Sequence, residues 1–452
     1  MKKKLNFIIS LSLVLAIAVS AFVTPASSFE HTEVTSSYAM LLINLDTNTT
    51  AYAQKADKYW YAPGMSELMT FILLTEKVKD PAGVKVAVDE DFIAELDYSD
   101  NCLERYLGDE LTLKDLAAIM MMTTGSDAAN LIADTVSGGD TAAFVSEMNS
   151  RATELGCKLT SFLSPGYSAS KKHYTTCEDI AVMYRHLMND AMFQEIMSSP
   201  TYIPEEYGDN EEYAVTTDNS ILNPVSPYYF RYATGGKYTF DKVYGASIVV
   251  TTSYKEMNYL FVALRGKNKA EENVFADARR MTTWAYLNLS DRKVINTDTA
   301  VNTAKAVTSW GTYDISLYAD NSAIKTLPNE YERDKFSVKM DIPEELKLPL
   351  FEGESVGSAD ISYDKELLDN VSIIPNHDEG VSLLNDLGRF SGYALAKLFP
   401  NMPSEAEEQS ATEPSTKPAT EAATKSPKKQ TSTTPAAAKA TQAPTTDSET
   451  GE

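Results

Sequence analysis

The pattern that most constrains this chain is a pair of strands at each end of a helical run. Residues 38–53, YAMLLINLDTNTTAYA, carry two strand-like stretches around an Asp-Thr-Asn turn, a hairpin signature. Residues 244–266, YGASIVVTTSYKEMNYLFVALRG, return to a strand–turn–strand pattern rich in Val, Ile and Tyr. Between them apolar residues recur at helical spacing. Met65, Leu68, Met69 and Ile72 share a stripe, LTLKDLAAIMMMTTG (111–125) runs to a stop at Gly125, and SDAANLIADTVSGG offers Ser126 or Asp127 as a cap. TAAFVSEMNSRATELG and TCEDIAVMYRHLMND read as two more amphipathic helices, and NVFADARRMTTWAYLNL (273–289), after the second strand pair, closes the section as a helix. Strands far apart in sequence with helices between them specify an α+β fold, a mostly antiparallel sheet with a helical cluster packed on it.

After about Ser290 helical periodicity gives way to short alternating strands and polar turns, which predicts a small all-β domain over 291–376. Residues 377–402 hold one amphipathic segment, with Leu384, Leu387, Phe390 and Leu398 on a face and Arg389 and Lys397 as its cations between 381 and 399. That composition favours docking on the β domain or a partner over peripheral membrane contact. Residues 403–452 are almost wholly Ser, Thr, Pro, Ala, Lys and Glu, with nothing to bury, and are expected to be a disordered tail. Such a tail suits a wall-spanning spacer, a glycan acceptor or plain solubilising filler.

At the other end, three lysines, an apolar run from Phe7 to Val23 and small residues around Ala26–Ser28 read as a signal peptide over 1–28. A retained anchor is the alternative. Either way the rest of the chain is expected outside the cytoplasm, secreted, in the cell wall or on the outer face of the membrane. A formal charge of −24 argues against nucleic acid as a partner. Three cysteines are too few for a disulfide framework, with a Cys157–Cys177 bridge left open, and the four scattered histidines show no metal-ligand spacing.

Several stretches occur in one order and spacing that point to a family: LMTFILLTE, TGSDAANLIAD, FVSEMNSRATELG, HYTTCEDIAVM and GGKYTFDKVYGASIVVTT. In these the chain resembles the serine D-alanyl-D-alanine carboxypeptidases, the low-molecular-mass penicillin-binding proteins of peptidase family S11, over a domain spanning 29–290. The resemblance implies the penicillin-binding-protein/β-lactamase-like transpeptidase fold, peptidoglycan stem peptides as ligand, and no cofactor or metal. Family members cleave a terminal D-Ala by acyl transfer, which needs a serine, a nearby base and donors for the oxyanion. They supply these through S-x-x-K, S-x-N and K-T-G motifs.

Here the ungapped register sets S-x-x-K on Gly64-Met65-Ser66-Glu67, so glycine stands at the nucleophile position and an acid at the base position. S-x-N falls on Thr124-Gly125-Ser126 and K-T-G on Lys237-Tyr238-Thr239, which keeps only the lysine. Ser66 is rotated about 200° from position 64 along a helix, away from the pocket. The backbone N–H groups of Gly64 and Phe240 and the charge of Lys237 remain as means of holding a peptide terminus, with Thr124, Tyr238 and Thr239 lining the same site. A buried Glu67 carboxylate needs a partner, and is expected to pair with Lys237, or with Thr124 and Ser126. Three readings follow: a catalytically inactive homologue that binds peptidoglycan or a partner; an active carboxypeptidase using Ser66 or Thr124; and a structural surface protein that kept only the fold.

Overall fold

In the computed structural model the described residues are 35–379, apart from 95–101, 169, 267–271 and 309–310. The expected signal peptide, tail and nearly all of the 377–402 segment lie outside them. Among the described residues no helix is long and apolar enough to cross a membrane.

The two strand pairs read from the sequence join one sheet. β1 (Ser37–Asn44) and β2 (Thr49–Gln54) form the hairpin. β3 (Ala233–Asp241), β4 (Gly245–Tyr254) and β5 (Met257–Gly266) complete a five-stranded sheet ordered β2-β1-β5-β4-β3, antiparallel throughout. Leu41, Val249 and Val262 face one core, shared with the helical cluster, whereas Leu42, Ile248 and Phe261 face a second. This two-sided burial is why β4 is buried at successive positions from Gly245 to Thr252 rather than alternating between core and solvent.

The helical cluster comprises α1 (Glu67–Lys77), α2 (Leu113–Met122), α3 (Ser126–Ser137), α4 (Thr141–Glu154), α5 (Cys177–Leu187) and α6 (Ala191–Ser198). α7 (Glu272–Asn288) covers the other face of the sheet. α2 starts on a capping box in which Thr112 and Asp115 each bond the other's backbone N–H. α3 differs from the sequence expectation: its N-cap is Gly125, and Ser126 is already helical. The Ser126 and Asp127 side chains are diverted to other backbone donors, Ser126 Oγ accepting from Tyr167 N (2.9 Å) and Asp127 Oδ2 from Leu103 N (2.7 Å).

Beyond α7, β6 (Leu289–Ile295), β7 (Asn302–Thr308), β8 (Gly311–Ala319), β9 (Ala323–Pro328), β10 (Phe336–Asp341), β11 (Glu345–Lys347), β12 (Gly357–Tyr363) and β13 (Glu366–Pro375) build the all-β domain. β6 pairs with β9, and the rest form a six-stranded sheet ordered β10-β12-β13-β8-β7-β11. This domain meets the β1–β2 turn. Lys325 Nζ donates to Thr47 O at 3.0 Å, Thr326 Oγ1 lies 2.6 Å from Thr47 Oγ1, and Asn44 Nδ2 donates to Asp291 at 3.0 Å.

Candidate functional site

The residues assigned to the first motif sit in a tight turn ahead of α1. Met65 N donates to Ala62 O (3.1 Å) and Glu67 N to Gly64 O (3.4 Å). The helix itself begins at Glu67, two residues later than the apolar stripe suggests, and Gly64 has a left-handed φ of +81°. Positions 64 and 67 therefore do not share a helical face. A Cβ placed on Gly64 would come 2.8 Å from Thr239 Cγ2 and 3.6 Å from Thr124 Cγ2. Glycine fits for two reasons: a β-carbon is disfavoured at that φ, and a threonine methyl already fills the space.

Strand alternation then decides which third-motif residues reach this turn. Lys237 pairs with Val249 and Tyr238 with Ile248, residues of opposite sheet faces. Lys237 and Thr239 accordingly face the helical cluster. Tyr238 faces α7, with its ring 4.8 Å from Phe275, and half-buried Phe240 packs against the same second core. Tyr238 and Phe240 are thus not gathered with the other proposed site side chains.

Lys237 reaches between α1 and the end of α2. Its Nζ donates to Met120 O (2.9 Å), Thr123 O (3.0 Å) and Met121 O (3.4 Å). Carbonyls in the last turn of a helix lack helical donors and carry partial negative charge. The same Nζ lies 2.5 Å from Glu67 Oε2, and both side chains are completely buried. The expected Glu67–Lys237 pairing is present. Neither Glu67 oxygen accepts a well-directed hydrogen bond among the described residues, so charge rather than hydrogen-bond geometry holds the carboxylate. Burial pushes the Glu67 carboxyl up to about 7, against the opposing pull of Lys237, with Asp127 and Asp218 adding to the rise. A lysine spent on carbonyls and a counter-ion has no surface to offer a ligand.

The hydroxyls nearby are also engaged. Buried Ser66 donates to Gly166 O, and Thr70 donates to Pro165 O at 2.7 Å. Ser126 Oγ accepts from Tyr167 N as noted, so one loop, 164–168, lies over both α1 and α3. Its approach depends on Gly166, where a Cβ would meet Ser126 Cα at 2.9 Å. Tyr167 OH donates to Asp241 Oδ2 at 3.0 Å, tying the loop to the end of β3. Thr124 is half-buried beside Gly64. The loop's part was not legible from residue types, since Gly166 and Tyr167 match no catalytic pattern.

The remaining candidates for chemistry are quiet. Cys102, Cys157 and Cys177 are free thiols, so the Cys157–Cys177 bridge is not formed. Burial pushes the Cys102 and Cys157 thiols up to about 12. His173 is buried, accepts from Leu163 N at Nδ1 (3.2 Å), and is lowered to about 4 by burial, a packing role.

Comparison with known proteins agrees with this architecture. The family model described as D-alanyl-D-alanine carboxypeptidase matches residues 26–268, more than half of the chain. The model described as the penicillin-binding protein 5 C-terminal domain matches 290–379. The chain is 24% identical to D-alanyl-D-alanine carboxypeptidase DacF of Bacillus subtilis over 383 residues, covering 84% of this chain and 95% of that protein. It is 23% identical to DacC of Escherichia coli over 280 residues, 60% of this chain and 66% of that one. Penicillin-binding protein 5 from Haemophilus influenzae shares the fold with a TM-score of 0.63 at 16% identity, covering 77% of this chain and 99% of its own. On the match of the first model, the chain belongs to the D-alanyl-D-alanine carboxypeptidase family, peptidase S11.

Proposed function

We propose that this chain is a catalytically inactive carboxypeptidase homologue that works outside the cytoplasm as a peptidoglycan- or partner-binding protein, with the C-terminal tail as a spacer. One observation carries the reading: the Thr239 methyl fills the space that a side chain at position 64 would need. The sealed Glu67–Lys237 pair adds to it, because an acid stands at the base position and the surviving cation is neutralised. Loss of a nucleophile costs on the order of 10⁶-fold in turnover in other serine hydrolases.

A fluorescent β-lactam tests this, because stable labelling requires a hydroxyl that can be acylated. The purified wild type is expected to remain unlabelled. Labelling abolished by Ser66→Ala or Thr124→Val would instead establish an active enzyme with a different nucleophile. For Ser66 the burial of its hydroxyl and its bond to Gly166 O weigh against that outcome.

A further inference from the structure

We propose that an aromatic rim beside the 62–67 turn is a binding surface for a polysaccharide strand, specifically the amino-sugar chain of the cell wall. This rests on the wall-binding reading above and assigns that binding to sugar rather than to the buried Lys237. Four tyrosine rings follow one another: Tyr174 to Tyr59 at 5.0 Å, Tyr59 to Tyr61 at 6.3 Å, and Tyr61 to Tyr244 at 4.9 Å. Tyr59 is 46% exposed, and the other three are partly so.

The rim is held in shape by backbone pairing. Trp60 exchanges both backbone hydrogen bonds with Thr175, and Ser161 does the same with Tyr174. Trp60 Nε1 donates to Tyr244 O at 3.2 Å, so the segment carrying Tyr59 and Tyr61 is joined to the β3–β4 turn. Rings fixed in this way lose little conformational freedom when a ligand stacks on them.

The chemistry favours a sugar over an aliphatic protein surface. A pyranose offers a flat face of C–H bonds, slightly positive, which suits the negative face of an aromatic ring. Its rim of hydroxyls matches phenol tips better than it would leucine or valine side chains. Charge points the same way. On a chain of net charge −24, Arg265 lies 4.3 Å from the Trp60 ring centre and Lys55 lies 4.4 Å from that of Tyr38, itself 5.1 Å from Trp60. Exposed Lys171 and Lys172 precede Tyr174 in the loop. Local cations in an acidic protein suit a strand whose stem peptides end in carboxylates. The rim also adjoins the turn that the family resemblance assigns to the peptide cleft, so a strand along it would present its stem peptides there.

The test is sedimentation of the full-length chain with insoluble wall sacculi, intact or stripped of stem peptides by an amidase. Wild type is expected to be retained on both. Tyr59→Ala with Tyr174→Ala should weaken retention on stripped glycan about tenfold, the upper end of what aromatic stacking contributes. Because Tyr59 is exposed but Tyr174 is half-buried, melting temperature is measured alongside, and retention is compared well below the unfolding of both proteins. As a control, Tyr207→Ala removes a stacked aromatic pair elsewhere, Tyr207 on Tyr213 at 3.9 Å, and should leave retention intact. Retention on intact but not stripped sacculi would overturn the glycan assignment while leaving the wall-binding reading standing. No retention on either would overturn both, and undiminished binding by the double variant would overturn the place of the site.

Discussion

Lys237 Nζ and Glu67 Oε2 lie 2.5 Å apart with no exposed surface on either side chain, and the two partners are unequally supported. The lysine has three main-chain carbonyls besides the carboxylate, whereas the carboxylate has only the lysine among the described residues. Lys237→Met should therefore cost more than Glu67→Gln, about 3–5 kcal/mol at pH 8. The double variant Glu67→Gln with Lys237→Met should cost less than Lys237→Met alone, because no buried charge is left uncompensated. Urea unfolding of the four proteins measures this. Additive single and double effects would show that the pair is not coupled.

The same burial makes a pH prediction. The Glu67 carboxyl is raised from its ordinary 4.5 to about 7, so the folded state favours the protonated form. Its contribution to stability is fully present below about 4.5 and is lost as pH rises through about 7. Wild type should therefore lose stability relative to Glu67→Gln between those values, and the difference should level off above them. Thermal unfolding of both proteins across the range checks the sign. A gap that widens in favour of wild type with rising pH would mean that Lys237 outweighs burial.

How much of this could be read beforehand depended on whether the signal was local. The strand pairs, the helical cluster and the all-β domain follow from period and turn chemistry, which local sequence carries directly. The Glu67–Lys237 pairing was also foreseeable, since a buried acid in a pocket of that family needs a counter-charge. The facing of Tyr238 was missed because motif alignment says nothing about which sheet side a residue takes. The pairing of Tyr238 with Ile248, and so its contact with Phe275, decides that. The methyl over Gly64 was missed for a similar reason. Thr239 lies 175 positions along the chain from Gly64, so its contact depends on tertiary packing that local sequence does not carry.

Contact between the two domains has its own test. Lys325 is buried, donates to Thr47 O at 3.0 Å and pairs with Asp369 at 2.8 Å. Lys325→Met should leave the Thr47 carbonyl without this donor and cost about 1–3 kcal/mol. The loss should appear as an earlier, separate unfolding transition of the β domain in calorimetry. A single transition at the wild-type temperature would show that this link contributes nothing to holding the domains together.

The contact between Gly64 and Thr239 yields the prediction closest to the chemistry. A β-carbon at position 64 meets two obstacles: φ of +81° and a methyl carbon 2.8 Å away. The first costs a non-glycine residue about 1–2 kcal/mol, and the second adds overpacking of about 1–3 kcal/mol. Gly64→Ser alone should thus be clearly destabilised and remain unlabelled by a fluorescent β-lactam. Thr239→Gly removes the methyl but not the backbone strain, so it should recover only part of the loss, with a coupling of about 0.5–3 kcal/mol in a double-mutant cycle. Adding Glu67→Lys would place a second cation in one sealed space with Lys237. Acylation in Gly64→Ser, Glu67→Lys, Thr239→Gly should therefore be weak, and it should increase with pH as one amine gives up its proton. Strong labelling by Gly64→Ser alone would mean that the turn relaxes freely, and that Thr239 does not close the site.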